Sequence, residues 1–218
     1  SLSIASIFIL IKTSIKNAID PYIMKLHHYR EKKLKRIISE LYTVSLFLFS
    51  FMFLIASFFM KDITLLIGGD KFTDSIIYTP YVILIVLITT VNQYFIYGIN
   101  FNHRNSLVLK YLIYSLIINL ILSVILINIW GVAGIILANV ISSIIYSYLL
   151  YRESNKLYPI EYLKLDNLRI VFSALIVFGI DITYLSNNEY VSHIVIILMF
   201  LLINQRVYFN FKSIYALN

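Results

Sequence analysis

The sequence contains no cysteine, only three prolines and six glycines, and few charged residues. Without cysteine the chain forms no disulfide, has no thiol nucleophile and offers no thiolate to a metal ion. The four histidines, His27, His28, His103 and His193, are not spaced as metal ligands. The HExxH, GxSxG, P-loop and dinucleotide-binding patterns are also missing. We therefore predict no catalytic site, no metal, no other cofactor and no enzyme activity.

Charged side chains make up 13% of the 218 residues, whereas hydrophobic side chains make up 60%. Soluble domains carry about 25% charged residues, so this balance predicts a membrane protein. The net charge of +7 could suggest a nucleic-acid partner. Lysine and arginine, however, gather in short segments between apolar stretches, as they do in the cytoplasmic loops of membrane proteins. We therefore predict no nucleic-acid binding.

Seven apolar stretches approach the roughly 20 residues that a helix needs to cross a bilayer. We predict an all-α polytopic membrane protein with a single transmembrane domain over 1–218. Its helices are expected at about 2–19, 41–60, 76–99, 107–127, 132–151, 168–185 and 191–207. Asp20 and Pro21 are predicted to stop the first helix. Because the sequence starts inside an apolar stretch, we expect a fragment of a longer protein.

The connections between these stretches alternate in charge. Fourteen of the 18 lysines and arginines fall on one side of the predicted membrane, and only Lys61 and Lys71 fall in loops on the other. Loops rich in lysine and arginine stay in the cytoplasm. We therefore predict cytoplasmic basic loops and a cytoplasmic C-terminus. Trp130 and several tyrosines lie near predicted helix ends, which is typical of aromatic belts at the membrane surface.

Two pairs of polar residues inside the predicted helices are candidate substrate-binding residues. Lys12 and Lys16 are four residues apart and share one face of the first helix. They either line a polar cavity that attracts an anionic group or extend their ammonium groups to the lipid headgroups. Asn92 and Gln93 lie in the third helix, where amides either bond to a neighbouring helix or line a substrate path.

The fifth predicted helix carries small residues at four-residue spacing, Gly134, Ala138 and Ser142. Such a stripe lets another membrane helix approach closely. We predict a packing role for it.

Four landmarks follow one another over about the first 150 residues. They are the helix end at Pro21 with its basic loop, the outer loop Leu65–Phe72, the polar inner turn Asn100–Ser106 and the helix opening Trp130–Ala138. In this order they resemble the C-terminal half of bacterial polysaccharide (O-antigen, Wzx-type) flippases. These belong to the superfamily that also contains MATE multidrug exporters and lipid II flippases. Arg104 and Asn105 stand where that family often has a Gly-Lys pair.

The resemblance implies the C-terminal lobe of a MATE-like two-lobed bundle in the bacterial inner membrane, with an N-terminal transmembrane half as its partner. It implies a flippase whose cargo is an undecaprenyl-pyrophosphate-linked oligosaccharide for O-antigen or capsule biosynthesis. Lys12 and Lys16 would suit the pyrophosphate. An ion-coupled drug exporter of the same architecture is the main alternative. A membrane-embedded polysaccharide polymerase or ligase, or a purely structural membrane protein, is a further alternative.

Overall fold

The computed structural model describes residues 2–27, 31–59, 62, 78–162, 164–184 and 190–207. These residues are mainly α-helical and contain no strand. The helices are α1 (Leu2–His27), α2 (Glu31–Phe58), α3 (Thr79–Asn100), α4 (Asn105–Trp130), α5 (Val132–Leu157), α6 (Leu165–Tyr184) and α7 (Tyr190–Ile203). Each predicted apolar stretch overlaps one of them. The landmark Leu65–Phe72 lies outside the described residues.

Four of the described helices contain segments that are long and apolar enough to cross a membrane. The segments are Lys33–Phe58, Pro80–Asn100, Asn105–Trp130 and Val132–Leu157, in α2 to α5. Helix α7 contains a shorter apolar segment, His193–Ile203. The all-helical architecture is therefore confirmed for the described residues, and it is consistent with a multi-pass membrane protein. A total of seven crossings stays a prediction.

The first helix does not stop at Asp20 and Pro21, as the sequence suggests, but continues to His27. A proline inside a helix removes one backbone hydrogen bond, a loss that membrane helices tolerate. Contacts beyond the proline favour the helical continuation. Ile23 is fully buried, and the His27 ring stacks on Phe101 with 4.0 Å between the ring centroids.

The chain forms two compact units. The first contains Ser1–Ile38 and Ile77–Ile160, and the second contains Ser39–Ile76 and Glu161–Asn218. Helix α2 therefore begins in the first unit and continues in the second. Helices α1, α3, α4 and α5 belong to the first unit, whereas α6 and α7 belong to the second.

Within the first unit, α3 packs against both α1 and α5, and α4 packs mainly on α5. Helix α4 buries a single residue, Ser115. Its aliphatic side chains are otherwise largely exposed, Leu120 to 66%. An exposed apolar surface of this extent marks a membrane or protein contact. The composition of α4 suits a surface that faces lipid.

The small-residue stripe of α5 has the predicted packing role. Gly134, Ala138 and Ser142 are all buried. A Cβ atom at Gly134 would overlap the backbone carbonyl oxygen of Leu126 in α4. The two helices approach this closely because Gly131, between them, adopts a φ of 57° that favours glycine.

Amide groups also join α4 to α5. The Asn119 Nδ2 atom donates to Asn139 Oδ1 at 2.9 Å and to Ser142 Oγ at 3.0 Å. Hydrogen bonds between membrane helices of this kind add a modest stabilisation, about 0.6 kcal/mol on average. The amides of α4 and α5 thus have a structural role.

The second unit is held together by rings. Phe47 of α2 stacks on Phe200 of α7, with 5.6 Å between centroids, and Phe53 meets Phe178 of α6 at 4.9 Å. His193 is buried and stacks on Phe58 at 5.3 Å. The His193 ring therefore packs among aromatic side chains.

Candidate functional site at the interface of α1 and α3

The Lys12 side chain of α1 reaches across to α3. Its Nζ atom donates to the Thr89 carbonyl oxygen at 3.1 Å and approaches Thr89 Oγ1 at 3.4 Å. The Thr89 hydroxyl donates to the Val86 carbonyl oxygen at 3.0 Å, so its lone pairs can accept from Lys12. An ammonium group has three N–H donors. The structure therefore holds the Lys12 charge against α3, rather than extending it toward the end of α1.

A second polar contact joins the same two helices. The Tyr97 hydroxyl of α3 donates to the Asp20 carboxylate of α1. Tyr97 is buried, whereas Asp20 is half-buried. In both contacts the partners are 77 residues apart. The two helices therefore run parallel, and each residue of α1 in this region lies level with the residue 77 positions later in α3.

This register places Lys16 level with Gln93, between the two contacts. Residues four apart share one face of a helix, so each helix contributes a row of three polar residues. We call the two rows together the polar stripe, which consists of Lys12, Lys16 and Asp20 on α1 and Thr89, Gln93 and Tyr97 on α3. From Lys12 to Asp20 the stripe extends about 12 Å, at 1.5 Å per residue. Lys16 is exposed, whereas Gln93 is buried.

Two buried amides, Gln93 in the stripe and Asn92 beside it, have side-chain atoms without hydrogen-bond partners. Asn92 and Gln93 are 3% and 7% exposed. Within the described part of the chain, Asn92 Oδ1, Asn92 Nδ2 and Gln93 Oε1 are buried without a partner. A buried polar group left unpaired costs about 1–3 kcal/mol, and such groups are rare in proteins. Unlike Asn119 and Asn139, these two amides show no side-chain hydrogen bond to a neighbouring helix among the described residues.

Of the four residues predicted from the sequence, the structure brings Lys12 and Gln93 onto one interface, with Lys16 exposed at the same level. Asn92 follows Thr89 by three residues and flanks the stripe. Sequence reasoning missed the roles of Thr89, Asp20 and Tyr97. The four-residue spacing of Lys12, Lys16 and Asp20 was the available signal. It was overlooked because Asp20 was interpreted as the end of the helix.

The side chains at this interface carry groups that can bind an anion and hydroxyl groups. Lysine ammonium groups bind phosphate oxygens, and amides donate to and accept from hydroxyl groups. With two lysines and one aspartate, the stripe has an excess of positive charge. It therefore matches a ligand that carries both a phosphate and hydroxyl groups. Among the described residues, no group of three or more histidine and acidic side chains is placed to hold a metal ion.

Neither a known protein family, nor a curated protein, nor a solved structure matches this chain. The likeness to polysaccharide flippases therefore depends on the order of the sequence landmarks.

Proposed function

We propose that this chain belongs to a flippase, in which it forms the C-terminal lobe of a MATE-like bundle. The cargo is an undecaprenyl-pyrophosphate-linked oligosaccharide, which crosses the bacterial inner membrane during synthesis of O-antigen or capsule. The N-terminal half of the bundle supplies the opposite wall, because transporters of this kind work by moving one repeat against the other.

The observation that carries the proposal is the pairing of charge and unpaired amides at the interface of α1 with α3, which contains a segment long and apolar enough to cross a membrane. Ionisable residues within membrane helices are costly and usually functional. Lys12 and Lys16 would contact the pyrophosphate. Asn92 and Gln93 would bond to sugar hydroxyl groups, whose donors and acceptors match those of an amide.

The first test removes the gene from its bacterium. We expect complete lipid-linked oligosaccharide to accumulate in the inner leaflet while polysaccharide disappears from the cell surface. Unchanged surface polysaccharide together with raised drug sensitivity would favour the drug-exporter hypothesis over the flippase hypothesis. Single repeat units that reach the outer leaflet but are never joined would indicate the polymerase or ligase.

The second test separates binding from packing by substituting site residues in the intact protein. Lys12→Ala should lower transport at least about tenfold, because a hydrogen bond to a charged group contributes about 1.5–3 kcal/mol. Lys110→Ala, which removes an exposed lysine from α4, is the matched control and should transport normally.

Asn92→Leu gives the sharper result, because it replaces an unpaired buried amide by an apolar side chain of similar size. Removing the unpaired group should leave the thermal midpoint unchanged or raise it, while transport falls. A variant that loses stability and transport together would show that Asn92 has a packing role. Normal transport by both Lys12→Ala and Asn92→Leu would remove the site from the proposal.

A further inference from the structure

A cavity of about 420 Å³ lies between the first turns of α3 and α5, away from the polar stripe. Its wall consists of Tyr78, Tyr81, Leu84, Trp130, Ala133, Ile136, Leu137 and Val140. All of these residues belong to the first unit. The volume falls within the range of about 300–1,000 Å³ that is usual for small-molecule sites.

The polar and apolar groups of this wall are separated along its length. The three aromatic residues, which carry the only polar side-chain atoms of the wall, cluster where α3 and α5 begin. On α5 the aliphatic side chains continue from Ala133 to Val140, a distance of about 10 Å at 1.5 Å per residue. Tyrosine and tryptophan rings at a membrane surface keep their polar tips at the headgroups and their rings among the lipid chains.

The cavity opens onto an exposed apolar surface. Trp130 is 56% exposed, and Tyr81 and Leu137 are each 38% exposed. The neighbouring helix α4, which buries only Ser115, continues this surface. The helices on both sides of the cavity contain the segments that are long and apolar enough to cross a membrane. In a membrane crossed by these helices, hydrocarbon would meet the opening.

We propose that this cavity is a binding site for one acyl chain of a membrane phospholipid. The chain lies along the aliphatic wall of α5, and the headgroup lies beside Trp130, Tyr78 and Tyr81. The lipid fills an apolar volume that would otherwise leave the side chains of the wall without contacts. This inference is independent of the proposed transport activity.

The test uses Trp130, the single tryptophan of this sequence. The intact protein is placed in detergent micelles, with any tryptophan outside this sequence replaced by phenylalanine. Phospholipid with brominated acyl chains is then titrated into the micelles, and Trp130 fluorescence is recorded. A bound lipid should quench Trp130 at a lower brominated fraction of the micelle than random contact within the micelle allows.

Ala133→Phe fills the cavity and should abolish this preference. Each methylene excluded from an apolar site costs about a factor of four in affinity, so the brominated fraction at half-quenching should rise at least about fivefold. Ala18→Phe makes the same change at an exposed position of α1 and should leave quenching unchanged. Val140→Phe fills the cavity from its deeper end and provides a second variant if Ala133→Phe does not fold.

Two results would overturn the proposal. In the first, quenching of the unsubstituted protein matches random contact, and neither Ala133→Phe nor Val140→Phe changes it. This result would show that no lipid is bound. Recovery of fluorescence on addition of a polyprenyl phosphate, but not of extra unbrominated phospholipid, would show that the cavity takes a prenyl chain instead.

Discussion

At the scale of single residues, the polar contacts between α1 and α3 connect groups that membrane helices seldom contain. Lys12 and Asp20 carry opposite charges, yet each pairs with a neutral partner on α3, Thr89 and Tyr97. Because the partners are neutral, they do not neutralise the two charges, and each charge can still attract a ligand. A direct ion pair between them would have neutralised both.

The contact between Tyr97 and Asp20 should contribute measurably to stability. Tyr97→Phe removes the hydroxyl donor and leaves the half-buried carboxylate with one hydrogen bond fewer. We expect the free energy of unfolding to fall by about 1–2 kcal/mol, measured as a lower unfolding midpoint in detergent. Tyr148→Phe, at a 60% exposed position of α5, is the control and should unfold like the unsubstituted protein. Equal midpoints for both variants would contradict the prediction.

Part of the candidate site was predictable residue by residue. The common face of Lys12 and Lys16 follows from their spacing alone. The burial of Asn92 and Gln93 does not, because adjacent residues point about 100° apart on a helix. Thr89 and Tyr97 were not predictable, because their partners lie 77 residues away in sequence. Local periodicity places a residue on a face, whereas the register between two helices depends on the tertiary packing.

At the scale of helices, α4 and α5 form a hairpin whose close approach depends on Gly134. Gly134→Ala puts a Cβ atom into the backbone of Leu126, which cannot move without displacing α4. We expect a loss of about 1–3 kcal/mol, as is typical of an overfilled contact. The unfolding midpoint in detergent measures it.

The same substitution at Gly179 is the matched control. A Cβ atom there meets nothing within 4 Å, and alanine favours a helix over glycine by about 1 kcal/mol. Gly179→Ala should therefore unfold at the same or a higher midpoint. If both alanine variants behave alike, the close approach of α4 and α5 does not determine stability.

The helices themselves were largely predictable from the apolar stretches, but the end of α1 was not. Asp20 and Pro21 are a typical stop signal in a soluble protein. Here the burial of Ile23 and the stacking of His27 on Phe101 outweigh the hydrogen bond that Pro21 removes. Tertiary contacts of this kind have no signature in the local sequence.

At the scale of the whole molecule, the distribution of basic residues predicts which side each loop faces. The absence of cysteine makes this directly measurable, because a single introduced cysteine is the only thiol of the sequence. Asn105→Cys and Asn155→Cys lie at predicted cytoplasmic ends, and Asn128→Cys lies at the predicted outer end of α4; all three positions are exposed.

In intact cells a membrane-impermeant maleimide should label the position-128 variant and not the other two. The position-105 and position-155 variants should react once the membrane is opened. The reverse pattern would invert the orientation. Labelling of positions 105 and 128 from the same side would show that α4 does not cross the membrane, despite its length and composition.

A single transmembrane domain over 1–218 stays a prediction, and the chain forms two compact units within it. One division between the units falls inside α2, directly after its charged first turns, where the helix continues without a break. An unbroken helix gives no local signal for such a division. The number of membrane crossings likewise depends on the shorter and more polar helices. Length and hydropathy alone do not decide whether these helices cross the membrane.

The constant separation of 77 residues has a mechanical consequence for α1 and α3. Both rows of the polar stripe repeat every four residues, so a slide of α1 by one helical turn would bring Lys16 level with Thr89 and Asp20 level with Gln93. Intermediate positions would turn the polar groups against aliphatic neighbours. The four-residue repeat therefore provides two aligned positions about one turn apart, of which the structure shows one, and packed elements with such discrete positions are those that convert a local change into a large movement.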